Sequence, residues 1–187
     1  SQVRGGRGFS VHCCCCCRHE AAKPFIRPQA AQFAASQHEQ QNQIHPTEEK
    51  VIFTSLRDGD INLFEMDYNG ENIIQITKEY GYDGGAFYSP KGDKIVWRAW
   101  YPSTQEEKAK WKNNLTKKFI ESVPLDIYVA QRDGSKKVRL TNNGATNWAP
   151  SWHPDGKHIV FSSNMDDWRE DYNAYGSNFE IYMINID

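Results

Sequence analysis

At 187 residues with an apolar share of 39%, the chain is long enough for one sizeable core, but its mean hydropathy of −0.76 is low for a compact α/β enzyme. The net charge of −2, with Lys and Arg scattered among acids, excludes the basic stripe that would hold a phosphate backbone, so nucleic acid is not an expected partner. No stretch approaches the roughly 20 apolar residues of a membrane span, and none is expected within the chain.

In chain order, residues 1 to about 46 come first, and they show neither strand alternation nor a sustained helical face. They are rich in Gly, Arg, Gln, Ala and His and close on the polar run Gln37 to Gln43. That composition predicts a disordered N-terminal tail, 1–46, with a folded core starting near Thr47. No apolar h-region follows Arg4 and Arg7, so the tail does not read as a signal peptide. All five cysteines form one run, Cys13 to Cys17, flanked by His12 and His19. Neighbouring cysteines lack the separated ligand pairs of a structural zinc site, and no metal centre is expected there. The rest of the chain has no cysteine, which leaves the redox compartment open.

From Lys50 the pattern changes to short apolar runs punctuated by Asp-Gly, Asn-Gly and Pro-Lys-Gly. An aromatic share of 13% fits the same picture, because Trp, Tyr and Phe suit pleated, half-buried surfaces. Strands are expected near 50–55, 61–67, 72–77, 84–88, 93–99, 126–131, 136–141, 148–152, 157–162 and 179–185. Asn69-Gly70, Lys91-Gly92, Asp133-Gly134 and Asp155-Gly156 supply the tight turns between them. One helix is expected between 98 and 125. Ser103 and Thr104 precede Glu106 and Glu107 at capping-box spacing, and Trp111, Leu115 and Phe119 recur every fourth residue before Pro124. This apolar stripe either packs onto its own sheet or docks a partner. Asn114-Leu115-Thr116 is a glycosylation sequon, read only in a secreted eukaryotic protein.

The strands repeat. At a constant offset of 64 residues, Asn62-Leu63-Phe64-Glu65-Met66 lies over Asp126-Ile127-Tyr128-Val129-Ala130, and Ile76-Thr77 over Leu140-Thr141. In the same register Tyr88-Ser89-Pro90-Lys91-Gly92 lies over Trp152-His153-Pro154-Asp155-Gly156, and Ile95-Val96-Trp97 over Ile159-Val160-Phe161. The base period is shorter, since Val51-Ile52-Phe53 recurs as Ile95-Val96-Trp97 after 44 residues. Loop insertions at 98–125 and 163–178 account for the difference. Four strands in about 44 residues is the repeat of a propeller blade, so the fold class is all-β, a β-propeller of four-stranded antiparallel blades. Ten strands make an incomplete fragment of about two and a half blades in a domain spanning 47–187.

The phrase Asn147-Trp148-Ala149-Pro150-Ser151-Trp152-His153-Pro154-Asp155-Gly156-Lys157, followed by His158-Ile159-Val160-Phe161, resembles the TolB-type blade motif. So does Asp126-Ile127-Tyr128-Val129 running on to Arg139-Leu140-Thr141. Pro90, Gly92, Pro150, Trp152, Pro154, Asp155 and Gly156 carry the motif. An earlier copy departs from it, with Ala86 in place of the Pro and Tyr88 in place of the Trp. The resemblance implies a non-enzymatic binding or scaffolding module in the periplasm or another extracytoplasmic compartment. The same blades are similar to those of prolyl-oligopeptidase-type peptidases. A larger serine hydrolase with its catalytic domain elsewhere is therefore the second reading.

No G-x-S-x-G elbow, H-E-x-x-H or phosphate-cradling loop occurs, so no catalytic residue and no cofactor are expected. His153 beside Asp155 reads as turn chemistry. Asp58-Gly59-Asp60 and Asp166-Asp167 lack calcium-loop spacing and read as solvated turn carboxylates, leaving no expected metal site. By analogy with other propellers, the loops between second and third strands and between successive blades share one face. That face would collect Trp100, Tyr101, Trp111, Trp168, Tyr172 and Tyr175, aromatic candidates for binding a protein, peptide or glycan partner.

Overall fold

A computed structural model describes residues 43–167 and 178–187. Among them are eleven strands and one helix: β1 (Gln43–Ile44), β2 (Lys50–Ser55), β3 (Asn62–Asp67), β4 (Ile74–Gln75), β5 (Tyr82–Tyr88), β6 (Lys94–Trp100), α1 (Gln105–Thr116), β7 (Asp126–Gln131), β8 (Val138–Arg139), β9 (Asn147–Trp152), β10 (His158–Ser163) and β11 (Glu180–Asn185). They form three antiparallel sheets with strand orders β1-β2-β3-β4, β5-β6-β7-β8 and β9-β10-β11. Each sheet is a meander, so each strand pairs with its neighbour in sequence, and the result is two complete propeller blades followed by three strands of a third.

All ten expected strands are present. The outer fourth strands, β4 and β8, shrink to two residues each, because only one side of each is paired and most of their side chains are solvated. The eleventh strand, β1, corrects the boundary of the expected tail. Gln43 and Ile44 pair with Ile52 and Val51, and His45 behind them is 4% exposed. A signal for it lies in the sequence: Ile44-His45-Pro46 precedes Tyr88-Ser89-Pro90 by 44 residues, the base period of the repeat. Residues 1–42, including Cys13 to Cys17, lie outside the described residues.

Alternation along the strands decides which blades touch. On β6, Ile95, Trp97 and Ala99 join Ile52, Leu63 and Ile76 of the first blade. Val96 of the same strand faces the other way, into a cluster with Trp152, Ile159 and Phe161 of the third. The middle blade is thus buried on both faces, which is why Lys94–Trp100 reads as a near-continuous apolar run. On β11, Tyr182 and Ile184 pack inward, whereas Ile181 and Met183 are 77% and 61% exposed.

Polar seams repeat with the blades. Asp83 N–H donates to Ile61 C=O at 2.9 Å, and 64 residues later Asn147 N–H donates to Leu125 C=O at 2.9 Å. Thr77 Oγ1 accepts from Leu63 N–H and Thr141 Oγ1 from Ile127 N–H, both at 2.9 Å. At the opposite end, Arg132 forks onto Glu65 at 2.7 and 3.0 Å and onto Glu48 at 2.7 and 2.9 Å. Tyr88 donates to Glu65 at 2.7 Å, so the 3% exposed Glu65 carboxylate is matched by a cation and a hydroxyl.

Gly92 locks the first two blades together. Its φ is +75°, and a Cβ there would lie 2.1 Å from Nε2 of His45. Gly156 has φ +69° with nothing within 4 Å of a Cβ. Gly92→Ala is therefore expected to cost about 2 kcal/mol or more, combining left-handed backbone strain with overpacking, whereas Gly156→Ala costs about 1 kcal/mol from the backbone alone. Urea unfolding of both variants measures the difference; equal losses would show that the His45 contact carries no weight.

Candidate functional site

The candidate face is built where the β2–β3, β4–β5 and β6–β7 connections meet. The β6–β7 insertion carries α1, which starts as its sequence requires. Thr104 Oγ1 accepts from Glu107 N–H at 3.1 Å and the Glu107 carboxylate accepts from Thr104 N–H at 3.0 Å, a reciprocal capping box. Hydrogen bonds from Thr104 and Ser103 hold the Glu107 carboxyl below its usual range. The helix ends at Thr116, one turn before the expected stripe does, and Lys118 follows with φ +55°. Phe119 therefore leaves the helix and is 55% exposed, a correction to the expected Trp111, Leu115, Phe119 face.

Trp111 is 2% exposed and packs with Ile61, Tyr82 and Leu125, while Trp100, Leu115 and Trp148 flank the cluster. Its indole N–H donates to Asp60 Oδ1 at 2.8 Å, and Asp60 also accepts from Gly81 N–H at 2.8 Å and Ile61 N–H at 2.9 Å. Burial pushes the Asp60 carboxyl up, against the pull of these donors. Asp58 accepts from Asn62 at 2.7 Å and from Gln75 at 2.5 Å. Both carboxylates of the Asp58-Gly59-Asp60 turn are thus occupied by protein donors.

Of the aromatic candidates, Trp100 and Tyr101 are partly buried and Trp111 is buried. Tyr101 donates to Asp83 Oδ1 at 2.6 Å and meets Tyr128 edge-on at 5.4 Å. Trp97 Nε1 donates to the same oxygen at 2.7 Å. Asp83 is wholly enclosed, and desolvation raises its carboxyl to about 7 despite these donors. Trp168, Tyr172 and Tyr175 lie outside the described residues.

Above this packed base lies an apolar groove that the aromatic count alone does not reveal. Leu56 from the β2–β3 connection faces Leu115, Phe119 and Ile120 from the insertion, with Ile61 and Tyr82 at the floor. Leu56 and Ile120 are 40% and 46% exposed. Three large apolar side chains are thus left at the surface beside one groove. Their sequence signal was weak: Leu56 and Ile120 sit in polar loops with no periodicity around them.

No protein-family model and no curated protein matches the chain. Solved structures do. A TolB of Agrobacterium tumefaciens aligns at 18% identity and a TM-score of 0.53, covering 79% of this chain and 46% of that one. TolB of Acinetobacter baumannii aligns at 18% identity and 0.56, covering 79% and 30%. The chain has the fold of a TolB-type β-propeller. The tricorn protease aligns at 14% identity and a TM-score of 0.51, covering 79% of this chain and 13% of that one. The chain thus spans less than half the length of each of these structures.

The TolB-type motif residues do what their chemistry suggests. Pro150 is buried, and Trp152 packs on Ile159 and Phe161 while its N–H donates to Phe87 C=O at 3.2 Å, joining the second and third blades. Pro154, Asp155 and Gly156 form the β9–β10 turn, closed by Gly156 N–H to His153 C=O at 3.0 Å, and Pro90 and Gly92 form its counterpart, closed by Gly92 N–H to Ser89 C=O at 2.9 Å. Among the described residues no helix is long and apolar enough to cross a membrane.

Proposed function

We propose that the chain is a non-enzymatic binding module whose loop face receives a protein, peptide or glycan partner. The observation that carries this reading is the groove between Leu56 and the Phe119–Ile120 corner, whose apolar walls are exposed while the adjoining Trp111 cluster is buried. Loops held by a rigid scaffold are where recognition residues concentrate. Apolar walls suit the side chains of a peptide better than the hydroxyls of a glycan. Trp168, Tyr172 and Tyr175 of the second insertion remain candidate anchors. An extracytoplasmic compartment accompanies this reading through the TolB-type resemblance.

The test is selection of a displayed peptide library against the chain. Peptides recovered should lose at least tenfold in affinity for Phe119→Asp or Ile120→Asp. Stability should stay within about 0.5 kcal/mol, because both side chains are already solvated. Peptide binding that ignores both substitutions would refute the groove. The second reading, the propeller of a larger serine hydrolase, has the tricorn likeness in its favour. An α/β-hydrolase segment with a nucleophile elbow in the same open reading frame would establish it.

A further inference from the structure

At the end of the blades away from the groove, one six-residue turn occurs three times. Its first N–H donates to its last C=O in His45–Lys50, Ser89–Lys94 and His153–His158, each at 2.9 Å. The first, third and sixth positions are His45, Thr47 and Lys50; then Ser89, Lys91 and Lys94; then His153, Asp155 and His158. The turn forms with all three sets, so its backbone does not demand the third. Only in the third copy are all three side chains metal-ligand types.

Their donor atoms converge. Asp155 Oδ2 lies 3.0 Å from His153 Nδ1 and 2.7 Å from His158 Nδ1, and the three ligand atoms lie within 4.8 Å of one another. A tetrahedral ion bound at about 2.0–2.2 Å holds its ligand atoms roughly 3.4 Å apart, so the two nitrogen–oxygen pairs would open by about 0.4–0.7 Å, a small adjustment for side chains at the surface. Asp155 Oδ1 is fixed by the N–H groups of Lys157 at 2.8 Å and His158 at 3.1 Å, which aims Oδ2 at the imidazoles. The rings stand at 89° to each other, so the two nitrogens approach from different directions. The site opens to solvent, giving an ion a path in and leaving positions for water.

We infer that His153, Asp155 and His158 form a three-ligand site for a borderline divalent transition ion of the Zn2+ class. Two imidazoles and one carboxylate suit such ions, whereas Ca2+ and Mg2+ prefer all-oxygen sets. The ion would take the place of the close contacts between the imidazoles and the carboxylate and would clamp the β9–β10 turn from outside.

Zn2+ titration calorimetry on the full chain tests this, with Cys13 to Cys17 replaced by Ser so that thiolates do not compete. The same protein with His158→Ala and with Asp155→Asn is titrated alongside; the remaining histidines are common to all three. One site is expected in the first protein, weakened at least tenfold in each variant, and its melting temperature should rise with Zn2+ in the first protein alone. The amide introduced by Asp155→Asn would keep an oxygen for the Lys157 and His158 N–H groups, so this variant decides the matter even should His158→Ala fail to fold. Absent binding, or equal binding in the first protein and Asp155→Asn, overturns the site.

Discussion

Replacing Trp111 by Ala is expected to lower the unfolding free energy by about 3–5 kcal/mol, the range for truncating a buried aromatic side chain. The indole is 2% exposed, and its neighbours come from all three blades: Ile61 from the first, Tyr82, Trp100 and Leu125 from the second, and Trp148 from the third. A cavity there would loosen contacts between blades as well as within one. The substitution would also strip Asp60 Oδ1 of its indole donor in a site where burial already disfavours the charge. Trp111→Phe weighs the two effects against each other, since it keeps most of the volume while removing the N–H. Urea denaturation followed by circular dichroism reads both; an unchanged midpoint for Trp111→Ala would mean that α1 does not hold the blades together. This behaviour is opposite to that expected of Phe119, whose loss should cost affinity and leave stability alone. Of the two readings of the helical stripe, burial favours the packing one for Trp111, and the proposed docking role rests on the residues beyond the helix end.

The second large effect concerns pH. A carboxyl at about 7 against an ordinary 3.8 means that between these values the folded protein holds a proton on Asp83 that the unfolded chain has released. Stability from this group is complete below about 3.8, falls as pH rises and is lost above about 7, a swing on the order of 4 kcal/mol. Asp83→Asn removes it. The third blade shows that Asn fits: Asn147, 64 residues on, donates from Nδ2 to Leu125 C=O at 2.7 Å and to Thr141 Oγ1 at 3.2 Å. Ile61 C=O and Thr77 Oγ1 occupy the same register around Asp83. The stability difference between variant and wild type should therefore be near zero at pH 4 and grow to about 4 kcal/mol in favour of the variant by pH 8. Denaturant midpoints at four or five pH values measure it, and a difference independent of pH would show that Asp83 does not titrate in this window.

The fold was largely legible from spacing, because a repeat writes its period in the sequence. Asn62 to Met66 over Asp126 to Ala130 is a register that only a repeated unit explains, and each strand followed from it. β1 was missed because two residues show no alternation; only the three-residue echo Ile44-His45-Pro46 pointed to it. The capping box of α1 was equally readable, being a local hydrogen-bond pattern. Its C-terminus was not, because Phe119 continues the four-residue spacing while the backbone has already turned at Lys118.

The candidate site was legible only as a choice of face. Residue type indicates that an aromatic side chain is valuable but not whether it is spent inside or left outside, and here Trp111 and Tyr101 are drawn in by Asp60 and Asp83. Sequence alone determined the blade architecture and the turns, because these depend on hydrophobic period and on glycine. Tertiary structure alone decided that Leu56 meets Phe119 and Ile120, that Asp83 is sealed from water, and that Asp155 stands between two imidazoles. Each of these depends on side-chain positions set by strand pairing, blade packing and turn geometry, and residue spacing alone does not specify those positions.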